Sequence, residues 1–169
     1  MLNHFWGFAQ LPDNIPYPSN GEDNPMTLVC QFALGEGSVC VFADLDYFFG
    51  DIDVDGGHIG EWDSNLYKVL YAPTTQNLHE HEIRYEDGTL AVPEPRELTG
   101  YPSLVLSKPT CWQDELVQDY PDYQVLVQLE EDDDIGLRFY DCGTLFFLIR
   151  PEDLAARRFD RVRCVLYSY

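Results

Sequence analysis

Positive charge is what this sequence has least of. Ten lysines and arginines face 30 aspartates and glutamates, a formal charge of −20 over 169 residues. A surface of that sign repels nucleic acid and anionic membranes at long range, so neither is an expected partner and a basic protein is the natural complement. The imbalance is uneven: residues 150–169 carry five arginines and three acids, so the first 149 carry −22. Long apolar runs are also missing, none approaching the roughly 18 residues of a membrane span. The N-terminal "MLNHFWGFAQLPDN" has neither the basic nor the apolar region of a secretory signal. Five cysteines, Cys30, Cys40, Cys111, Cys142 and Cys164, are odd in number and have no close pairs. They read as reduced, buried thiols of a cytoplasmic protein. There is no glycine-rich phosphate loop, nucleophile elbow, metalloprotease helix or aromatic-and-basic platform for nucleic acid.

What is present suffices for a core. With 45% hydrophobic and 14% aromatic residues, the chain reads as a single domain over residues 1–169. Its strong segments are apolar runs or period-two patterns rich in β-branched and aromatic residues, which predicts strands at Thr27–Phe32, Ser38–Asp44, Tyr67–Tyr71, Glu82–Tyr85, Thr89–Val92, Tyr123–Glu130, Thr144–Ile149 and Val162–Tyr167. The expected class is mainly β, at the border of α+β: an antiparallel roll or sandwich-like sheet with two short peripheral helices. Asp87-Gly88 suits a type I′ hairpin turn. One helix is expected from Thr110, with Gln113 at capping-box spacing, to the stop at Pro121. The other opens at Pro151, with Glu152 and Asp153 at its positive end and Arg157 and Arg158 at its negative end.

An internal echo suggests a duplicated hairpin. "LVCQF" and the "GSVCVF" that begins at Gly37 resemble "VLVQL" and the "GTLFFL" that begins at Gly143. Chance reuse of strand residues explains the match equally well. The glutamines Gln31 and Gln128 would either line a pocket or cap strand ends, the second being preferred.

The same segments carry a family resemblance. "YDCGTLFFLIRPEDLAARRFDRVRCVLYSY" resembles the C-terminal signature of the YwqG-like family, a bacterial domain of unknown function. "LVCQFAL", "GSVCVFADLD", "YKVLY", "YQVLVQLEEDDD" and "GFAQLPDNIPYP" are similar to further segments of that family in the same order. The chain is shorter than many members, chiefly between Pro95 and Trp112. The resemblance implies a mainly β, roll-like fold with peripheral helices, and no established activity, cofactor or catalytic residue.

In "DIDVDGGHIGEWD", Asp51, Asp53 and Asp55 alternate as in a calcium loop, but the twelfth position is Trp62, Glu61 falls one place short, and strand-like flanks replace helices. A solvated acidic loop is the expected reading; a looser calcium site with Asp51, Asp53, Asp55 and Glu61 is the alternative. His79 and His81 would share one face of a strand, with Cys111 or His58 needed as a third zinc ligand, against a plain surface strand. His4 has no recognisable partner. Cys142, before Gly143, reads as a packed thiol at a strand start rather than a nucleophile. The run Glu130, Glu131, Asp132, Asp133, Asp134 reads as a solvated loop that could attract a basic surface. Arg157, Arg158, Arg161 and Arg163 are expected to neutralise part of that acid.

These features favour a non-catalytic cytoplasmic protein-binding module, of the inhibitor or immunity type, that masks a basic surface, without a cofactor. The competing readings are a metal-binding protein or metal-dependent hydrolase using the Asp51–Asp55 loop, and a small-molecule sensor.

Overall fold

The computed structural model describes residues 2–45, 59–98, 114–140 and 142–168. Eleven strands are described: β1 (His4–Phe5), β2 (Ala9–Pro12), β3 (Thr27–Leu34), β4 (Gly37–Ala43), β5 (Gly60–Glu61), β6 (Tyr67–Ala72), β7 (Leu78–His81), β8 (Arg96–Glu97), β9 (Gln124–Glu130), β10 (Thr144–Ile149) and β11 (Arg163–Tyr167). Two short helices, α1 (Asp114–Asp119) and α2 (Pro151–Ala155), lie outside the sheets. The protein is mainly β, as expected. The strands form antiparallel sheets in the orders β6-β4-β3-β1-β8 and β5-β11-β10-β9, with β2 and β7 as a separate two-stranded ribbon.

The two larger sheets pack face to face. Cys30, Phe32, Val39, Val41, Tyr67 and Val69 from the first meet Leu129, Leu145, Phe147, Ile149, Cys164 and Leu166 from the second in one buried cluster. Each such Phe or Leu contributes roughly 1.5–3 kcal/mol by leaving water. The Tyr67 ring meets Phe147 edge-on at 6.3 Å, and its hydroxyl donates to the Val162 carbonyl, fastening one sheet to the other.

Both sheets are also covered outside. Leu28, Cys40 and Phe42 lie beneath Ala9 and Leu11 of the ribbon and Met26, while Val125, Phe146, Leu148 and Val165 pack with Leu116 of α1. Double coverage explains why β4 is buried at all seven positions and why these strands read as unbroken apolar runs.

The echoed hairpins match in register. Gln31 stands opposite Cys40, and Gln128 opposite Phe146, in each case the third residue after the glycine that opens the second strand. Both glycines are forced by close approach: a Cβ on Gly37 would fall on the Ala72 carbonyl, and one on Gly143 on the Phe139 carbonyl.

Several expectations are corrected. Glu82–Tyr85 and Thr89–Val92 make only a single bridge, Arg84 to Leu90; the strand lies just upstream as β7, where it pairs with β2. At the turn, Gly88 alone of the pair has positive φ (85°), Tyr85 N–H donates to Thr89, and Asp87 accepts from the Thr89 backbone and hydroxyl, so it is not type I′. In α2, Pro151 does occupy the first turn, but the helix ends at Ala155 and Arg157 turns left-handed (φ 58°). Arg158 therefore lies beyond the helix and reaches back 2.8 Å to the buried Asp153. The capping-box residues Thr110 and Gln113 lie outside the described residues. No described helix is long and apolar enough to cross a membrane.

Candidate functional site

Strand register assembles the most distinctive polar group. In the five-stranded sheet Glu97, His4, Gln31, Cys40 and Leu70 form one row across adjacent strands, and residues directly opposite share a face. Gln31 is fully buried on that face. Its side-chain amide takes the part of a strand: the oxygen accepts from Gln10 N–H and the nitrogen donates to the Gln10 carbonyl, both at 2.8 Å. That contact holds the ribbon over the row. Gln10 in turn pairs with Glu80, so the ribbon brings Glu80 toward His4 from above while the sheet places Glu97 beside it.

His4 is 4% exposed. Its Nδ1 lies 2.6 Å from the Trp6 carbonyl and donates to it. Burial lowers the pKa below its ordinary value, with the Trp6 hydrogen bond and the Glu80 charge opposing more weakly, so the ring is neutral at pH 7 and Nε2 keeps its lone pair. The chain leaves β1 through two left-handed residues, Trp6 (φ 59°) and Gly7 (φ 75°). At Gly7 a Cβ would sit 2.9 Å from Pro95, and its N–H donates to Pro93. This turn closes a cavity of about 320 Å³ walled by His4, Glu80, Glu94, Arg96 and Glu97 with apolar support from Val92 and Phe8. On the other side of β7 a shallower concavity of about 490 Å³ includes Asp23, Glu80, His81 and Glu82. Glu80 belongs to both.

The family model for the domain of unknown function DUF1963 matches residues 59–167, more than half of the chain. The chain belongs to the DUF1963 family. The matched part begins just before β5 and includes Glu80, Glu94, Arg96 and Glu97, while His4 and Gln31 lie upstream of it. No curated protein matches the chain.

The DUF1963 region holds most of the residues singled out from sequence, and the structure disperses them. Asp51, Asp53, Asp55, His58 and Cys111 lie outside the described residues. Glu61 lies in β5, where its carboxylate accepts from Arg163 at 3.0 and 3.1 Å and from the Tyr120 hydroxyl at 3.0 Å. Burial, reinforced by that bond, pushes the Tyr120 phenol up to about 12. His79 pairs with Asp13 at 3.2 Å, whereas the His81 ring packs on Tyr17. Among the described residues no three His, Cys, Asp or Glu side chains group as metal ligands.

The acidic run is not uniformly solvated. Asp132 is 9% exposed and accepts from Arg96, Asp133 pairs with Arg138, and Glu131 accepts the backbone N–H groups of Phe139 and Gly143. These carboxylates build the β9–β10 connection by filling its backbone donors. The C-terminal arginines do not neutralise this run: Arg158 and Arg161 face Asp153, Arg163 faces Glu61, and Arg157 lies over the Tyr71 ring. Cys142 is exposed and left-handed (φ 54°) rather than packed in β10. The other described cysteines are buried, with Cys40 raised to about 12 by desolvation.

His4, which has no recognisable partner in the sequence, lies in the cavity wall. Its one local signal is a histidine amid the buried aromatics Phe5 and Trp6, a setting in which a polar ring needs partners.

Proposed function

We propose that this protein is a cytoplasmic, non-catalytic binding module for a basic protein, of the inhibitor or immunity type, and that residues 1–169 form one domain of the YwqG-like branch. One observation carries the reading: the two concavities beside β7 are walled by exposed carboxylates, Glu80, Glu94 and Glu97 on one side and Asp23, Glu80 and Glu82 on the other. The basic residues do little to offset them. Six of the eight arginines pair with carboxylates of the chain itself, Arg84, Arg96, Arg138, Arg158, Arg161 and Arg163. The −20 excess is left to attract lysines and arginines of a partner.

The test is titration with a ten-residue polylysine peptide at 50 and 300 mM salt. Binding at low salt that weakens at least tenfold at high salt is expected, with Glu80→Gln, Glu94→Gln and Glu97→Gln together removing most of it. The triple change Asp122→Asn, Glu152→Gln and Asp160→Asn, at exposed acids away from the ribbon, removes the same charge. Equal loss from both triples would reduce the effect to net charge and overturn the site. The metal reading draws less support, because Glu61 would have to leave Arg163 and Tyr120 to serve the Asp51–Asp55 loop.

A further inference from the structure

The acid-walled cavity contains a group that a general electrostatic lure does not need. His4 is more than nine-tenths buried, and its ring is fixed by the hydrogen bond from Nδ1 to the Trp6 carbonyl. Nε2 keeps its lone pair, and the His4 ring forms part of the cavity wall. The other charged groups of the wall are Glu80, Glu94 and Glu97, also acceptors, and Arg96, whose guanidinium is turned to Asp132 at 2.7 Å and Asp134 at 3.9 Å. The cavity thus presents acceptors and negative charge to whatever enters, and its volume lies at the low end of the roughly 300–1,000 Å³ of small-ligand sites.

We infer that this cavity recognises a primary ammonium or guanidinium group, with His4 Nε2 accepting one N–H and the carboxylates of Glu80 and Glu97 supplying the counter-charge. The assignment rests on the basic-partner reading, and specifies which chemical group of that partner enters the fold. A lysine or arginine side chain presents the donors the site lacks, on an apolar stem that Val92 and Phe8 can cover. A free diamine offers the same chemistry.

The experiment follows the ring nitrogens of the full chain by long-range ¹H–¹⁵N spectroscopy, with His4→Gln used to assign the signal. Three probes are added in turn: 1,5-diaminopentane, a neutral peptide with one lysine, and 1-pentanol. The His4 Nε2 signal is expected to shift with both amines and not with the alcohol, and Glu80→Gln with Glu97→Gln, both at exposed positions, to weaken amine binding at least tenfold. Tighter binding of the lysine peptide identifies a protein side chain as the source. Tighter binding of the diamine, without polylysine capture, keeps this site and overturns the protein-partner reading. An Nε2 signal indifferent to both amines, or one that moves equally with 1-pentanol, overturns the inference, and polylysine capture would then still stand as a separate result.

Discussion

The Arg96 guanidinium donates to the Asp132 carboxylate at 2.7 Å, joining β8 at the edge of one sheet to the connection that follows β9 in the other. Asp132 is almost wholly shielded, whereas the Arg96 side chain is about one-third exposed. Removing the arginine leaves a desolvated carboxylate. Arg96→Met is therefore expected to cost roughly 1–3 kcal/mol in urea unfolding. Adding Asp132→Asn should cost less than the sum of the two single changes, and strict additivity would show that the pair is not coupled.

His4 predicts a pH dependence of stability. Burial depresses its folded pKa below the ordinary 6.5. The folded protein then binds this proton less readily than the unfolded chain, so the contribution is complete above pH 6.5 and is lost as pH falls through the lower folded value. The groups around the ring are Glu80, Glu94, Glu97, Arg96 and the N-terminal amine. Carboxylates titrate mostly below about pH 5. Between pH 7 and 5.5 the melting temperature of the native protein should fall more steeply than that of His4→Gln; parallel curves would remove His4 from the account.

Gly37 and Gly143 predict matched losses. A methyl group at either would collide with a backbone carbonyl that cannot swing aside, so Gly37→Ala and Gly143→Ala should each cost roughly 1–3 kcal/mol or more. Gly21 has only the Asn65 side chain nearby, at 3.6 Å, and Gly21→Ala should be near neutral. Denaturant midpoints of the three variants decide the point.

The proposed function also predicts the response to metals. After treatment with chelator, the melting temperature should not rise with calcium, magnesium or zinc. A rise saturating at micromolar calcium and abolished by Asp53→Ala would move the functional centre to the Asp51–Asp63 loop.

The sequence made the long strands legible because each buries enough apolar surface to declare itself. Thr144–Ile149 has the bounds read from its pattern, and β3, β4, β6, β9 and β11 differ by one or two residues. The strands it concealed, β1, β2, β5, β7 and β8, have two to four residues, too few for any period. They exist through partners distant in the chain, as with Phe5 opposite Cys30 on one side and Arg96 on the other. The same limit governed the site. Local charge density makes Glu130–Asp134 read as solvated, whereas Asp132 is shielded by an arginine 36 residues away. His4 lacks a partner in its own neighbourhood and acquires Glu80 and Glu97 only through the ribbon and the sheet edge.

The sheet order gives the family match an unexpected boundary. Residues 59–167 supply both edges of the five-stranded sheet, β6 and β8, while β4, β3 and β1 that lie between them come from upstream. The matched region is therefore not a unit of folding by itself. Cut free at residue 58, it would keep the second sheet and lose the middle of the first, stranding Tyr67 and Val69 without their cover and leaving β6 unpaired on the side that β4 occupies, ready to pair with another copy.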